Sequence, residues 1–389
     1  MFFYLTYGDP PSGVYTSQVL DVVGYIRKKT RAKVRLVAFI SLHDFGKNKS
    51  KIQSIDPGAV VLPMLPKAVF WRFNTLLLAL LALLLRPQSI VARNVIACNM
   101  ALLLKRANLI KKVCFDGRGA IAAEWKEYDV RVANQWLKEI DQLEKNAVLT
   151  SDYRIAVTEK LIDYWKNTYQ YTANAHLIIP CTLNSTFNPS PAESGQITTV
   201  RERYGFSAED VILAYAGSTA GWQSFRTLQD MLQPFLNNNK RHKVFFLSPP
   251  EDAIADLQHN FPDQIIQAWV AHETVPETLA ACDMGILIRE QSVTNRVASP
   301  TKFAEYLSAG LPVLISDNLG DYSEFTRLNG CGLIIGDRLP ETIPVNTPVN
   351  RRKMIELVKK HFIKESFLPA YQKLTLEMAG ITDAQQHTS

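Results

Sequence analysis

The segment REQSVTNRVASPTKFAEYLSAGLPVLIS, residues 289–316, reads as a turn, a helix and a strand, with one residue that such a unit does not need. Ser299 is suited to N-cap a helix over Pro300–Ala309, and Pro300 to its first turn, where the missing N–H costs nothing. Phe303, Tyr306 and Leu307 recur at i, i+3 and i+4 and predict one core-facing stripe. Gly310 supplies a left-handed stop, and Pro312–Ser316 reads as the following strand. Lys302 is the exception, because a cation in the first turn opposes the helix dipole. Its position makes sense if the helix N-terminus holds a phosphate, with backbone N–H groups and Lys302 both donating. Glu305, one turn on, is then placed to accept hydrogen bonds from a ribose attached to that phosphate. The competing reading is a surface ion pair between Lys302 and Glu305, in the weaker basic-to-acidic order and worth about 0.3 kcal/mol.

On either side of this unit, short β-branched or aromatic runs alternate with longer amphipathic stretches, the pattern of βαβ units and parallel sheets. In the first half, Phe2–Tyr7, Lys33–Phe39, Ala59–Leu62, Ser89–Arg93, Lys111–Phe115, Ala147–Leu149, Ile155–Val157 and His176–Ile179 read as strands, and Val14–Lys28 as a helix. Asn184–Gly195, with its Pro, Ser and Gly residues, reads as a linker. Beyond it, strands are expected at Val211–Ala216, Lys243–Leu247, Gln264–Val270 and Met284–Ile288, with helices at Gln223–Leu236 and Val275–Ala281. Arg351–Thr375 reads as one long helix. The prediction is an α/β chain of two Rossmann-like, doubly wound parallel-sheet domains, residues 1–183 and 196–358. A helical segment over 359–389 is expected to pack back on the first domain. Ligands of such sheets bind beyond the carboxyl ends of the strands at the topological switch point, and two such domains place the expected site in a cleft between them.

Composition agrees with this size of fold. With 389 residues, 47% hydrophobic and 21% charged, the chain is globular and of a length that suggests two domains or one large α/β enzyme. Five cysteines at 98, 114, 181, 282 and 331 form no CxxC pair and leave an odd thiol, which predicts a reducing, cytoplasmic setting and no thiolate metal site. Met1–Leu5 is apolar, but no basic residues precede it and Gly8-Asp9-Pro10-Pro11 cuts it short, so no signal peptide is expected. The net charge of +6 is unevenly divided: residues 1–180 carry 25 Lys and Arg against 14 Asp and Glu, and the rest 18 against 23. The first half is therefore expected to face something anionic. Its basic clusters (residues 27–35, 47–51 and 105–112) suit an anionic membrane surface, with peripheral attachment at the inner face. Phe73–Leu85 is Leu-rich but only thirteen residues long, short of the roughly 20 that span a bilayer. It reads first as a helix buried on the sheet, and second as an interfacial helix. No stacking aromatics interleave the basic residues, so nucleic acid is not an expected partner.

With these motifs the chain resembles the GT-B glycosyltransferases, most closely the retaining group known as family 4. The segment Ser299–Ser316 is similar to that family's donor-site helix, in which the glutamate at the position of Glu305 binds the nucleotide ribose. Residues 275–285, VPETLAACDMG, resemble the helix and strand before it. Ala156–Tyr164 with Ile179-Pro180-Cys181 resembles the end of the first domain, and Phe115-Asp116-Gly117-Arg118-Gly119 with Glu124 a loop lining the acceptor site. The chain departs from the family at Val297, where many members carry a first glutamate that contacts the donor sugar. A subgroup instead shows an Arg-Glu…Asn-Arg…Ser-Pro…Lys pattern, matched here by Arg289, Glu290, Asn295, Arg296, Ser299, Pro300 and Lys302. The resemblance implies that recognition of the donor sugar falls on this loop.

The expected activity is transfer of a sugar from a nucleotide-diphosphate donor to a glycan or lipid-linked acceptor, with retention and without a metal. Two glycine turns, Gly8 to Gly13 and Gly217 to Gly221, let backbone approach phosphate. Gly13, Gly217 and Ser218 are therefore candidate donor ligands, and Trp222 can stack on a base or sugar. Asp116 and Arg118, at a strand end, are a candidate acceptor pair for a hydroxyl and a diphosphate; a loop-fixing salt bridge is the alternative. Catalytic roles are expected of Asp116, Arg118 and Lys302. His43, His176, His242 and His272 show no ligand spacing, and no Asp-x-Asp occurs, so no metal or other cofactor is expected. Two alternatives stay open: a nucleotide-sugar epimerase of the same fold, and a non-catalytic glycosyltransferase-like binding subunit, which the missing carboxylate at Val297 keeps in play.

Overall fold

A computed structural model describes the chain except residues 66–69, 129–133, 186, 188, 218–220, 345 and 380–389 and the side chains of residues 134–136, 222 and 272. It divides into two compact units, Met1–Asn184 with the segment from Lys364 onward, and Ser185–Ile363.

The first unit runs β1 (Phe2–Tyr7), α1 (Gly13–Tyr15), α2 (Asp21–Thr30), β2 (Val34–Ser41), α3 (Phe45–Ile55), β3 (Val60–Met64), α4 (Trp71–Leu85), β4 (Ser89–Arg93) and α5 (Val95–Arg106). It continues through β5 (Lys112–Asp116), α6 (Ile121–Glu127), α7 (Asn134–Thr150), β6 (Tyr153–Ala156), α8 (Glu159–Tyr169) and β7 (His176–Ile178). The second unit contains α9 (Ser194–Arg203), β8 (Val211–Ala216), α10 (Phe225–Asn238), β9 (His242–Leu247), α11 (Asp252–Asn260), β10 (Ile265–Ala268), α12 (Val275–Ala280) and β11 (Met284–Leu287). After these come α13 (Val293–Arg296), α14 (Thr301–Ser308), β12 (Val313–Ser316), α15 (Tyr322–Asn329), β13 (Gly332–Ile335) and α16 (Pro348–His361); α17 (Leu368–Ala379) returns to the first unit.

The first sheet has seven strands in the order β3-β2-β1-β4-β5-β6-β7, the second six in the order β10-β9-β8-β11-β12-β13. Each described pairing is parallel. Right-handed crossovers put α2 and α3 on one face of the first sheet and α4 and α5 on the other. All six side chains of β1 are buried, as a central strand covered on both faces requires. In both sheets the order reverses once, between β1 and β4 and between β8 and β11, and each reversal opens a crevice at the carboxyl ends of those strands.

Several sequence expectations change here. Ala147–Leu149 is not a strand but the end of α7, because Ile140, Leu143, Ala147 and Val148 are buried at i, i+3, i+7 and i+8, a helical period. The long helix over Arg351–Thr375 is broken: α16 ends at His361, a 3₁₀ turn covers Lys364–Phe367, and α17 follows. The chain rejoins the first unit at Lys364, whose buried ammonium lies 2.5 Å from Asp21 and donates to the carbonyl of Leu183 at 2.9 Å. From there α17 packs on α2, with Tyr371 against Tyr25 and the Ser89 hydroxyl donating to the Met378 carbonyl. The expected buried helix over Phe73–Leu85 is α4, and only one side of it is buried. No helix among the described residues is long and apolar enough to cross a membrane.

Candidate functional site

In the second unit the switch point is built from the ends of β8, β11 and β12. Gly217 follows β8 with φ +151°, a backbone conformation that L side chains rarely adopt, and its N–H donates to the Leu247 carbonyl. Arg289 follows β11 and is buried; its N–H donates to Ser316 Oγ at 2.8 Å, and its guanidinium Nη1 to the Gln223 carbonyl at 2.7 Å. The same guanidinium faces Tyr215, whose phenol burial pushes up and Arg289 holds back. The next N–H, of Glu290, donates to Ser224 Oγ at 2.9 Å. Asn295 is buried and donates from Nδ2 to the Glu290 carbonyl at 3.2 Å, while its own carbonyl accepts from Ala298 and Gly320. Arg289 and Asn295 thus hold the loop rather than project from it, and exposed Arg296 is the arginine the loop presents.

The helix α14 starts one residue later than expected. Pro300 takes the N-cap position, and Ser299, read as the cap, instead shares a hydrogen bond with Tyr322 Oη at 2.5 Å. This corrects the capping assignment: Pro300, with ψ 119°, already turns the chain out of the helix. Lys302 and Glu305 do pair, Nζ to Oε2 at 2.6 Å, with side chains 31% and 15% exposed. Such a pair is worth about 1 kcal/mol or less, so a stronger anion displaces it at little cost. One turn on from Lys302, Tyr306 is fully buried and its hydroxyl accepts from Ala216 N–H at 2.8 Å, tying the helix to the end of β8. Gly285 on β11 makes this approach possible, since a Cβ there would lie 2.3 Å from the Tyr306 ring. Val297 is buried. Ser218 and the Trp222 side chain lie outside the described residues, and Gly13 opens α1 in the first unit, on a different domain from the other donor candidates.

In the first unit, Asp116 at the end of β5 is fully buried. Arg118 meets both its oxygens, Nε to Oδ1 at 2.8 Å and Nη2 to Oδ2 at 2.9 Å, and Tyr4 Oη donates to Oδ2 at 2.5 Å. In this conformation that carboxylate is fully buried and fixes the loop, the alternative the sequence left open. The accompanying residues were not anticipated. Asp9, at the end of β1, has one buried carboxylate oxygen without a hydrogen-bond partner; burial pushes its pKa up, and Arg93 at the end of β4 offsets this. Asp9, Arg93, Asp116 and Arg118 act on one another electrostatically at the carboxyl-end side of the first sheet's switch point. Asp9 was visible only as part of a glycine turn and Arg93 only as a strand residue, and nothing local marks either.

Glu124, on α6, is half-buried, and burial followed by Glu127 raises its pKa. The start of α6 rests on Glu144 of α7, whose Oε2 accepts from Ala122 N–H at 2.8 Å. Burial, partly offset by the Ala122 N–H and the Tyr169 hydroxyl, pushes this carboxyl up from 4.5 to about 7. A raised carboxyl favours the protonated native state, so its contribution to stability is lost as pH rises from about 4.5 through 7. Glu144→Gln, which keeps a carbonyl acceptor, is expected to remove about 3 kcal/mol of that pH dependence. Urea midpoints of both proteins between pH 5 and pH 8 measure it, and parallel curves would contradict it.

Among the described residues no group of three His, Cys, Asp or Glu side chains is placed to hold a metal ion. His242 is buried, stacks on Phe235 at 4.0 Å and shares a hydrogen bond with the Phe235 carbonyl, and His43 lies 3.3 Å from Asp44. The thiols of Cys98, Cys114, Cys282 and Cys331 are buried and free.

No protein-family profile matches the chain, and no curated protein sequence does. Solved structures do match over almost its whole length. HepE of Anabaena, solved with UDP and glucose, superposes with a TM-score of 0.71 at 12% identity, covering 98% of this chain and 100% of that one. Sucrose-phosphate synthase of Thermosynechococcus elongatus gives the same TM-score, 0.71, the same identity, 12%, and the same coverage, 98% and 100%. A Listeria monocytogenes protein assigned as a UDP-N-acetylglucosamine 2-epimerase reaches a TM-score of 0.52 at 10% identity, over 96% of this chain and 90% of that one. At such identities the likeness speaks for the architecture: the chain has the GT-B fold, two Rossmann-like domains with parallel sheets of seven and six strands.

Proposed function

We propose that the chain is a glycosyltransferase that moves a sugar from a nucleotide-diphosphate donor to a glycan or lipid-linked acceptor. The observation that carries this reading is the second switch point, where the first turn of α14 has no side-chain cap among the described residues and stands beside an ammonium and a carboxylate that pair with each other. A diphosphate takes the N–H groups and Lys302, and Glu305, released from its ion pair, accepts from the ribose hydroxyls. HepE, the similar protein solved with UDP and glucose, supports the choice of donor class.

In the reaction the bond between the anomeric carbon and the leaving phosphate oxygen breaks and the acceptor oxygen bonds to that carbon. The acceptor's proton leaves with the nucleoside diphosphate. Charge builds on the leaving diphosphate, so Lys302, Arg296 and the N-terminus of α14 stabilise it electrostatically, with no metal required by this design. Arg289 and Asn295 are positioning residues that shape the loop. In the first domain Arg118 and Arg93 supply positive charge to an anionic acceptor group, while Asp116 and Tyr4 orient Arg118. Glu124, half-buried on α6, lines the acceptor side. The family resemblance implies retention of configuration at the anomeric carbon. The structural likeness is weaker for the epimerase than for HepE, which supports the reading of transfer over epimerisation.

Thermal shift with UDP, GDP, ADP and CMP tests the donor site. One nucleotide at a hundred times its Kd is expected to stabilise the protein by about 2.7 kcal/mol, and Lys302→Ala and Glu305→Ala to abolish that shift. No shift with any of the four, or an undiminished shift in both variants, would refute the proposed site.

A further inference from the structure

The helix α4 is built inside out. Its buried side includes Asn74 and Thr75: Asn74 donates to Tyr7 Oη at 2.8 Å and accepts from Leu65 N–H, and Thr75 donates to the Trp71 carbonyl. Its outer side carries Phe73, Leu76, Leu77, Leu80, Leu83 and Leu84, between 40% and 79% exposed. They recur at i, i+3, i+4, i+7, i+10 and i+11, a continuous stripe along a helix about 22 Å long. A helix whose outer side is an apolar stripe of this length belongs against an apolar environment on that side, and the sheet covers only the other.

The charges around the stripe identify its other environment. The helix contains no acidic residue, and Arg72 and Arg86 stand at its two ends. Beside its first turn, Arg72 and Arg106 line a pocket of about 320 Å³ between α4, α5 and α7, together with Asn99, Asn146 and three leucines. Asn99 and Asn146 bond to each other, and Arg72 reaches Glu139 only at 3.8 Å, with its side chain 70% exposed. Lys105, at the end of α5, pairs with Asp152, and Lys111 follows in the next turn. Exposed protein interfaces favour Tyr, Trp, Arg and Met at their anchors, whereas this stripe is five leucines and one phenylalanine. An aliphatic face rimmed by arginines matches the acyl–headgroup boundary of an anionic bilayer.

We propose that α4 is the membrane-docking element of the protein: its outer face lies in the plane of an anionic bilayer, with Arg72 and Arg106 taking lipid phosphate at the rim. This does not rest on the donor-site reading, since no residue of the second domain takes part.

The test is cosedimentation of the full chain with vesicles of phosphatidylcholine alone and with 30% phosphatidylglycerol. Binding at least tenfold tighter to the anionic vesicles is expected, weakened by 0.5 M NaCl. The triple variant Leu76→Glu, Leu80→Glu, Leu83→Glu should lose at least tenfold in binding to either vesicle while keeping its circular dichroism and Tm, because all three positions are exposed. Arg72→Ala with Arg106→Ala should reduce the preference for anionic lipid and spare the remainder. Wild-type protein that binds neither vesicle, or a triple variant that binds as well as wild type, would overturn the proposal. A concentration-dependent dimer in light scattering that the triple variant abolishes, without vesicle binding, would assign the face to a second copy of the chain instead. Nucleotide binding and vesicle binding are read separately, so failure of one leaves the other standing.

Discussion

Lys302→Ala is expected to lower kcat by about 100- to 1,000-fold, the usual cost of removing one donor from a site where charge develops in the transition state. In the unliganded protein the ammonium touches Glu305 at 2.6 Å and is 31% exposed, so its removal costs the fold about 1 kcal/mol or less. A Tm within a few degrees of wild type should therefore accompany the lost turnover, which separates a catalytic effect from a folding one. Glu305→Gln is expected to act mainly on donor binding and to raise KM, because a neutral amide accepts ribose hydrogen bonds less strongly than a carboxylate. Lys302→Arg should recover part of kcat, since the charge survives but the geometry changes. Steady-state rates with the nucleotide sugar chosen by thermal shift give these values. A loss below tenfold in Lys302→Ala would remove the phosphate role and leave the ion pair as the whole explanation of Lys302.

The second large effect is on stability. Gly285→Ala would place a Cβ 2.3, 2.5 and 2.7 Å from three atoms of the Tyr306 ring. The ring has no room to retreat: it is fully buried, and its hydroxyl is held by the Ala216 N–H. Overpacking of this kind costs about 1–3 kcal/mol, and losing the bond to a buried N–H adds about as much again. The second domain is thus expected to melt roughly 10 °C lower. A two-domain chain need not unfold in one step, so calorimetry should be read with hydrogen exchange at β8 and β11, where protection is expected to fall. Tyr306→Phe should lose only the hydrogen bond and lie between the two. An unchanged transition in Gly285→Ala would mean that α14 is not clamped to β11 and β8 as drawn, and that the first turn of α14 owes its position to something else.

The candidate residues divide by how far their partners lie along the chain. Lys302 and Glu305 were legible because one turn of helix brings them together, and a cation in a first turn is anomalous on local grounds alone. Arg289 and Asn295 were legible as a pattern, yet their partners Gln223, Ser316 and Gly320 come from other strand ends, so their inward orientation was not. The same holds for Asp116. Asp116 lies two residues from Arg118, which left a salt bridge and a ligand pair both open, and Tyr4, 112 residues away, adds a hydrogen bond to its Oδ2 that no local reading shows. Ala147–Leu149 misled in the other direction: three apolar residues carry no period, and only the stripe reaching back to Ile140 shows the helix.

By itself the sequence determined the alternation of strand and helix, the two-domain division and the anomaly at Lys302, because period, capping chemistry and dipole sign are properties of neighbouring residues. Only the tertiary structure decided which polar groups answer one another and which face outward. Asn74 turns into the first sheet while the leucines beside it turn away, and Arg289 is closed off while Arg296 is presented. Burial belongs to the packed whole: a side chain's exposure depends on what the rest of the chain lays against it, and no window of sequence contains that surface.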